Sequence, residues 1–136
     1  MNRKLLQITL IVIGIAQIFF GAAFTFAPAK FSGMLGLPET PQWAYWMFGM
    51  FGARAFGFAY GMFLAARDPM KHVHWIQAMI GVQLIDWLAT MYFVLNGTVT
   101  WAQVTSASYL PLIFIAMLVI FYPREKINSL TTKKSD

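Results

Sequence analysis

Four long runs of apolar residues occupy most of the chain, and shorter stretches richer in polar residues separate them. A helix needs about 20 residues to cross the hydrocarbon core of a membrane, and each run has that length or nearly so. Pro28 directly follows the first run and Pro123 the last, as is typical where helices end. The pattern therefore predicts an all-α fold, an integral membrane four-helix bundle in one domain. Its spans cover residues 5–27, 45–66, 75–95 and 105–122.

The first and last runs also permit other interpretations. Residues 2–4, the apolar run and the tripeptide Ala27-Pro28-Ala29 together follow the order of a secretory signal peptide. The first run is long for a signal, which favours a membrane span. The last run is the shortest and contains Pro111, which a membrane helix tolerates when neighbouring groups satisfy the carbonyl that proline leaves free.

Composition supports a membrane protein and excludes several kinds of chemistry. Hydrophobic residues make up 59% of the chain and charged residues 11%, against about 25% charged residues in soluble domains. Cysteine is absent, which excludes disulfides, thiol catalysis and cysteine-bound metal. The formal net charge is +5, but the basic residues flank the apolar runs instead of forming a patch for nucleic acid. We therefore expect no nucleic-acid partner.

The positions of the basic residues predict the orientation. Eight basic residues fall on one side of the membrane and only Lys30 falls on the other, while Arg54 lies within a span. Cytoplasmic loops carry an excess of lysine and arginine, so both termini are expected in the cytoplasm, with the protein multi-pass in the inner (plasma) membrane of the cell. The residues predicted on the cytoplasmic side are Arg3, Lys4, Arg67, Lys71, Arg124, Lys126, Lys133 and Lys134.

Two charged residues interrupt the middle spans. Arg54 lies as far from the start of the second span at Tyr45 as Asp86 lies from the end of the third span at Leu95. At ~1.5 Å rise per residue, both are about 13.5 Å from the outer ends of their helices, near mid-membrane. A charge at that depth is costly unless it is paired, faces a bundle interior or meets water. Because a short turn joins these spans, we expect Arg54 and Asp86 to form a hydrogen-bonded pair.

Other polar residues are expected near the pair. Gln83 and Thr90 share a helix face with Asp86, and Gln17 lies at a similar depth in the first span. The predicted ligand-binding or buried polar network comprises Arg54, Asp86, Gln83, Gln17 and Thr90, with Tyr109 or Tyr60 at its edge. Three roles are open: locking the helix register, binding the polar head of a ligand, and moving protons or ions.

The second span also carries small residues at every fourth position. A stripe of this kind lets another helix approach closely, and Gly57 and Gly61 form a GxxxG motif. We expect the first or fourth span to pack on it in preference to a second protomer. The stripe comprises Gly49, Ala53, Gly57, Gly61 and Ala65.

The connections offer less chemistry. Residues 28–44 form either an interfacial loop or a lid over an outward-facing pocket, and their glycines and prolines argue against a long helix. His72 and His74 could form half of a metal site, but without clustered carboxylates a solvated turn is the simpler interpretation, and we expect no metal. The sequence contains no phosphate-binding loop, nucleophile elbow or catalytic triad, so it gives no indication of an enzyme.

Residues 52–67, GARAFGFAYGMFLAAR, resemble the second span of DoxX-like small membrane proteins, in which spaced glycines follow an arginine. The aspartate in the third span and the cytoplasmic termini are also similar. The resemblance implies a four-span bundle, and it implies a fold more than an activity. The group includes subunits associated with quinone-linked oxidoreductases and assembly chaperones for other membrane proteins.

Two functions compete at this point. The first is a non-enzymatic membrane protein that is a subunit or assembly factor of a larger complex, or that binds a lipid or quinone. The polar end of such a ligand, a neutral carbonyl or hydroxyl, is expected at Arg54 and Asp86, and its tail among phenylalanine, methionine and tryptophan side chains of the second and third spans. Entry is expected from the outer half, below residues 28–44. The alternative is a small oligomeric transporter or ion or proton conductor that uses the same pair. The expected partners are the bilayer and either another membrane protein or further copies of the chain.

Overall fold

The computed structural model describes residues 2–123, and this part of the chain is helical with no strands. Each of the four long helices coincides closely with one predicted span, which confirms the all-α class, and the short helix α2 falls within the predicted loop. Met1 and residues 124–136, including the C-terminal basic residues used to predict orientation, lie outside the described residues. The helices are α1 (Arg3–Phe26), α2 (Pro28–Met34), α3 (Ala44–Arg67), α4 (Val73–Leu95) and α5 (Thr105–Ile120).

Two of these helices are long and apolar enough to cross a membrane. They are α1 and α4, and α5 is a shorter apolar helix. The ends of α1 follow from local chemistry. The Asn2 side chain accepts a hydrogen bond from the backbone N–H of Leu5 at 3.3 Å and caps the first turn. At the other end Pro28 begins α2, because proline lacks an N–H and suits a first helical position.

The helices pack in an order that differs from the order of the chain. α1 packs along α3 and α4 along α5, whereas α3 and α4 meet over a shorter length. Glycines allow α1 and α3 to approach closely: a Cβ on Gly52 would lie 2.7 Å from the Gly21 carbonyl oxygen. α3 and α4 touch near the turn that joins them, where the Trp75 ring lies on Gly61 and edge-on to Phe58, with ring centroids 6.4 Å apart.

The apolar core lies toward one end of the bundle, which we call the turn end because residues 68–72 join α3 to α4 there. Gln7 links α1 to α3 at this end by donating a hydrogen bond to the Ala66 carbonyl at 2.9 Å. Close packing of these side chains is the main interaction that holds the helices together. The core comprises Leu6, Leu10, Ile13, Met62, Ala65, Ala66, Ile76, Met79, Phe114 and Leu118.

Candidate functional site: a cavity opposite the turn end

The face of α1 that forms the core continues into the wall of a cavity. Leu10 and Ile13 are buried in the core, and the next positions on the same face, Gln17, Phe20 and Phe24, line the cavity. Their spacing of three and four residues keeps them on one side of the helix. We call this half of the molecule the α2 end.

Helices α4 and α5 also pass from the core into the cavity wall. On α4 the buried Ile76 and Met79 are followed by Gln83, Asp86 and Thr90, which line the cavity. α5 passes from buried Leu118 through Phe114 to Pro111 and Ala107. No close packing of α1 on α4 is found among the described helices, and the cavity occupies the space between them.

The cavity has a volume of about 260 Å³ and is lined by both aromatic and polar side chains. An apolar cavity of ~150 Å³ is enough to bind benzene, so this one has room for a ring with a short chain. The apolar part of the lining includes Phe20, Phe24, Phe31, Phe51, Leu110 and Phe114. The polar part includes Gln17, Gln83, Asp86, Thr90, Gln103 and Ser106.

Helix α2 covers the cavity through aromatic contacts. The Phe31 ring on α2 lies 4.9 Å from that of Phe24 and 6.2 Å from that of Phe20, and Phe24 in turn packs on the α3 rings of Phe51 and Phe48 at 4.9 Å and 5.6 Å, measured between ring centroids. Edge-on and stacked aromatic pairs at these distances contribute about 0.5–1.5 kcal/mol each beyond the area they bury. α2 is therefore held by side-chain packing over a site that its own Phe31 helps to line.

A hydrogen bond links the segment after α2 to the opposite side of the cavity mouth. Gln103, in the connection between α4 and α5, donates from Nε2 to the Gly36 carbonyl at 2.9 Å. Gly36 has a φ of 68°, in the left-handed region that glycine adopts at low cost. The same Gln103 accepts from the Thr100 backbone N–H at 2.9 Å, which positions its side chain for the bond to Gly36.

Two glutamines and a methionine form a polar layer between the core and the cavity. Gln83 Nε2 donates to the Met79 sulfur at 3.4 Å, and Gln17 Nε2 donates to the same sulfur at 3.9 Å from α1. Both residues of the first bond are buried: Gln83 is 6% exposed and Met79 is not exposed at all. A thioether is a weak acceptor, so these hydrogen bonds satisfy the two amides only weakly.

Asp86 and Thr90 lie one and two turns farther along the cavity wall. The Thr90 hydroxyl donates to the backbone carbonyl of Asp86 at 2.8 Å. This is a local contact within the helix, and it does not involve the Asp86 carboxylate. Thus four predicted site residues line one cavity: Gln17, Gln83, Asp86 and Thr90.

Pro111 interrupts the hydrogen-bond ladder of α5 beside the cavity. Because proline has no N–H, the Ala107 carbonyl loses its usual partner in the helix. Trp87 on α4 donates from Nε1 to the neighbouring Ser108 carbonyl at 3.1 Å. This bond braces α5 beside the interruption, but the carbonyl that Pro111 leaves free, that of Ala107, receives no side-chain hydrogen bond in the described chain.

The predicted contact between Arg54 and Asp86 is not present. Among residues 2–123, no hydrogen bond or ion pair joins the two side chains; Arg54 is exposed and does not line the cavity. Arg54 lies on the same side of α3 as Phe58 and Gly61, which contact Trp75 of α4, but farther from the turn. The main partner of α3 is α1 and that of α4 is α5, so equal depth on consecutive helices does not bring the charges together.

Most of the predicted small-residue stripe also lacks a helix partner. A Cβ added at Gly49 or Gly57 would meet nothing within 4 Å, and Ala53 is exposed. At the turn end the stripe is packed: Gly61 contacts the Trp75 ring of α4, and Ala65 is fully buried in the core. The expectation that the first or fourth span packs on the stripe is therefore not met, because α1 packs on the Gly52 side of α3.

The remaining candidates lie outside the cavity. Tyr109 is 61% exposed and Tyr60 is also exposed, and neither contributes to the lining. Within the described chain, no group of three or more residues suited to metal binding includes His72 or His74.

Sequence reasoning placed the aromatic lining on the second and third spans, whereas most of the aromatic wall lies on α1 and α2, and it missed Gln103 and Ser106. One available signal was the position of Phe20 and Phe24 on the same helical face as Gln17. The roles of Phe31, Gln103 and Ser106 depend on how the connections fold over the helices, which hydropathy does not encode.

Comparison with known proteins identifies no relative: no protein-family model, no curated protein and no solved structure matches the chain. The DoxX-like resemblance thus stays an expectation drawn from residues 52–67.

Proposed function

We propose that the protein is a non-enzymatic, four-span membrane protein that binds a lipid-soluble molecule in the cavity at the α2 end. The observation that carries the proposal is the cavity itself, about 260 Å³, with aromatic walls and a polar layer at its inner end. Ligand sites are usually concave and mostly apolar, with a few polar groups that orient the ligand. A lipid or quinone-like molecule fits this description.

The outer surfaces of the helices support placement in a membrane. Soluble monomers rarely expose large contiguous apolar patches, yet side chains such as Phe19, Ile85 and Ile113 are 54–66% exposed on three different helices. Bilayer lipid is the natural neighbour for these surfaces. The basic residues at the turn end, Arg67 and Lys71, favour a cytoplasmic location for that end and an outward-facing cavity.

Membership of a larger membrane complex is part of the same proposal. Arg54 is exposed near mid-helix on α3, and the neighbouring stripe at Gly49, Ala53 and Gly57 has open space beside it. A charge at that depth is stabilised by a protein partner or by water. A subunit or client helix with a carboxylate would suit this face of α3.

Native mass spectrometry after gentle extraction tests ligand binding. We expect the wild-type protein to retain a small lipid-soluble molecule. Ala107→Phe places a ring in the cavity wall, and should reduce the occupancy of that ligand at least ~10-fold, as expected when a ligand loses over 1.4 kcal/mol of binding free energy. Ala53→Phe is the matched control, because it makes the same change on the open face of α3.

Equal occupancy in both variants would show that the ligand binds elsewhere, and a wild-type protein free of any such molecule would contradict the proposed function. A stable hetero-oligomer in the same spectra would support membership of a complex. If Ala53→Phe selectively dissociates that oligomer, the partner lies on the open face of α3.

A further inference from the structure

The polar groups of the cavity are unbalanced between donors and acceptors. Gln17 and Gln83 each direct one amide N–H toward the Met79 sulfur, so their carbonyl oxygens are oriented away from it. In the described chain no hydrogen bond reaches either oxygen, and neither oxygen is fully buried, so both are accessible to another group. Each glutamine therefore offers a ligand its carbonyl oxygen, with two lone pairs, and its one remaining amide N–H.

The next groups along the wall follow the same pattern. Thr90 uses its hydroxyl hydrogen in the bond to the Asp86 carbonyl, so toward a ligand it has only oxygen lone pairs to offer. The ionised carboxylate of Asp86 accepts and does not donate. Gln103 is already engaged through both its nitrogen and its oxygen, and the Ser106 hydroxyl can donate one hydrogen bond as well as accept.

No cation offsets these acceptors within the described chain. Asp86 is the single charged residue in the lining, and Arg54, the nearest candidate in the sequence, is outside it. An anionic ligand would meet the carboxylate without a positive partner. A head that only accepts hydrogen bonds, such as a carbonyl or an ether, can pair with a free amide N–H or the Ser106 hydroxyl, but it leaves the Asp86 carboxylate and the glutamine carbonyl oxygens unmatched, which is costly where water is scarce.

We infer that the cavity selects a lipid-soluble molecule whose head donates hydrogen bonds, namely a phenol or an alcohol, over carbonyl-bearing and anionic molecules of the same size. The hydroxyl lies at Gln17, Gln83 and Asp86, and the apolar part lies against Phe20, Phe24 and Phe31. This inference rests on the proposed function and adds the chemical class of the ligand. Of the two neutral heads expected from the sequence, it keeps the hydroxyl and excludes the quinone carbonyl, and it removes Arg54 from the site.

Three small probes of matched shape test the inference. They are para-butylphenol, its methyl ether para-butylanisole, and para-butylbenzoate, each titrated calorimetrically into the full chain in lipid nanodiscs, with empty nanodiscs subtracted. We expect the phenol to bind at least ~10-fold more tightly than the ether, because a hydrogen bond to a charged or buried acceptor contributes that much. Benzoate should bind most weakly.

A pair of variants locates the preference. Gln83→Leu removes a buried acceptor beside Met79 and should reduce the preference for phenol over ether to about twofold or less. Gln77→Leu is the matched control at the turn end, where Gln77 donates to the Tyr122 hydroxyl at 2.7 Å, and it should preserve the wild-type preference. If Gln83→Leu does not fold, the comparison of phenol with ether in the wild-type protein still decides.

The possible outcomes separate the inference from the proposed function. Equal binding of phenol and ether would overturn the inference and leave a ligand-binding cavity in place. Tighter binding of benzoate would overturn it in the same way. Binding of none of the three would overturn both, and a phenol preference that survives Gln83→Leu would contradict the assigned position of the hydroxyl.

Discussion

At the scale of single residues, glycines on one helix have opposite surroundings. On α3 a Cβ at Gly52 would collide with the Thr25 hydroxyl and lie 2.7 Å from the Gly21 carbonyl oxygen, whereas a Cβ at Gly57 would meet nothing within 4 Å. Gly52 is thus needed for the approach of α1 to α3. Gly57 contributes no such contact and carries only the conformational cost of a glycine within a helix.

We therefore expect Gly52→Ala to destabilise the fold by about 1–3 kcal/mol, the usual cost of overpacking. Gly57→Ala should be neutral or stabilise it by up to ~1 kcal/mol, because alanine favours the helix and the space is open. Denaturant unfolding in detergent micelles, followed by circular dichroism, measures both. Equal destabilisation by the two substitutions would mean that Gly57 also packs against a helix, as in an oligomer.

The separation of Arg54 from Asp86 also has a measurable consequence. Residues that share no contact have additive effects, so the changes in unfolding free energy for Arg54→Gln and Asp86→Asn should sum to that of the double variant within about 0.5 kcal/mol. A buried pair would instead lose about 3–5 kcal/mol in either single variant and recover part of it in the double variant. Thermodynamic cycles in the same micelles distinguish these results, and strong coupling would contradict the arrangement of α3 and α4.

At the scale of elements, α2 is a short cover held mainly by side chains. Phe31 packs on Phe24 in the helix below, and the hydrogen bond from Gln103 to the Gly36 carbonyl joins the following segment to the α4–α5 connection. Seven residues of helix are too few to be stable in isolation, so α2 depends on these contacts for its position.

Loss of the Gln103 side chain should make the cavity more accessible. The chain has no cysteine, so Leu35→Cys introduces a single thiol into the lining. Adding Gln103→Ala should speed modification of that thiol by a water-soluble maleimide about fivefold, since a hydrogen bond of ~1 kcal/mol is lost. Gln77→Ala, which removes a glutamine at the turn end, serves as the control and should leave the rate unchanged. An unchanged rate with Gln103→Ala would show that aromatic packing alone holds the cover.

Prediction from sequence succeeds for the elements and fails for their pairing. The apolar runs that end near Pro28 and Pro123 predict where helices form, because a helix that is apolar on all sides can be recognised from its composition alone. Counting depth along the spans also brought Gln17 and Gln83 together correctly. Hydropathy cannot show which sides of the helices meet, because that depends on side-chain shape. The close approach of α1 to α3 at Gly52 is an example, and this packing leaves Arg54 on an exposed side of α3.

At the scale of the whole molecule, the placement of both ends on one side of the membrane is a prediction from charge. Reporter tags at residues 1 and 136 should both indicate the cytoplasm, and a tag at Glu39, in the connection between α2 and α3, should indicate the outside. Alkaline phosphatase and green fluorescent protein fusions give complementary signals for the two sides. A C-terminal tag on the outside would contradict the four-span topology and indicate three spans or a cleaved signal.

The uneven distribution of core and cavity along the bundle implies a gradient in amide hydrogen exchange. Local opening requires least free energy where few apolar contacts must be broken, so amides of α2 and its neighbours should exchange by local opening. Amides near Leu6, Met62 and Ile76, which are fully buried at the turn end, should exchange only when the whole bundle unfolds. A ligand in the cavity would then slow the fast-exchanging half selectively, and the pattern of that protection would map the bound molecule onto the sequence.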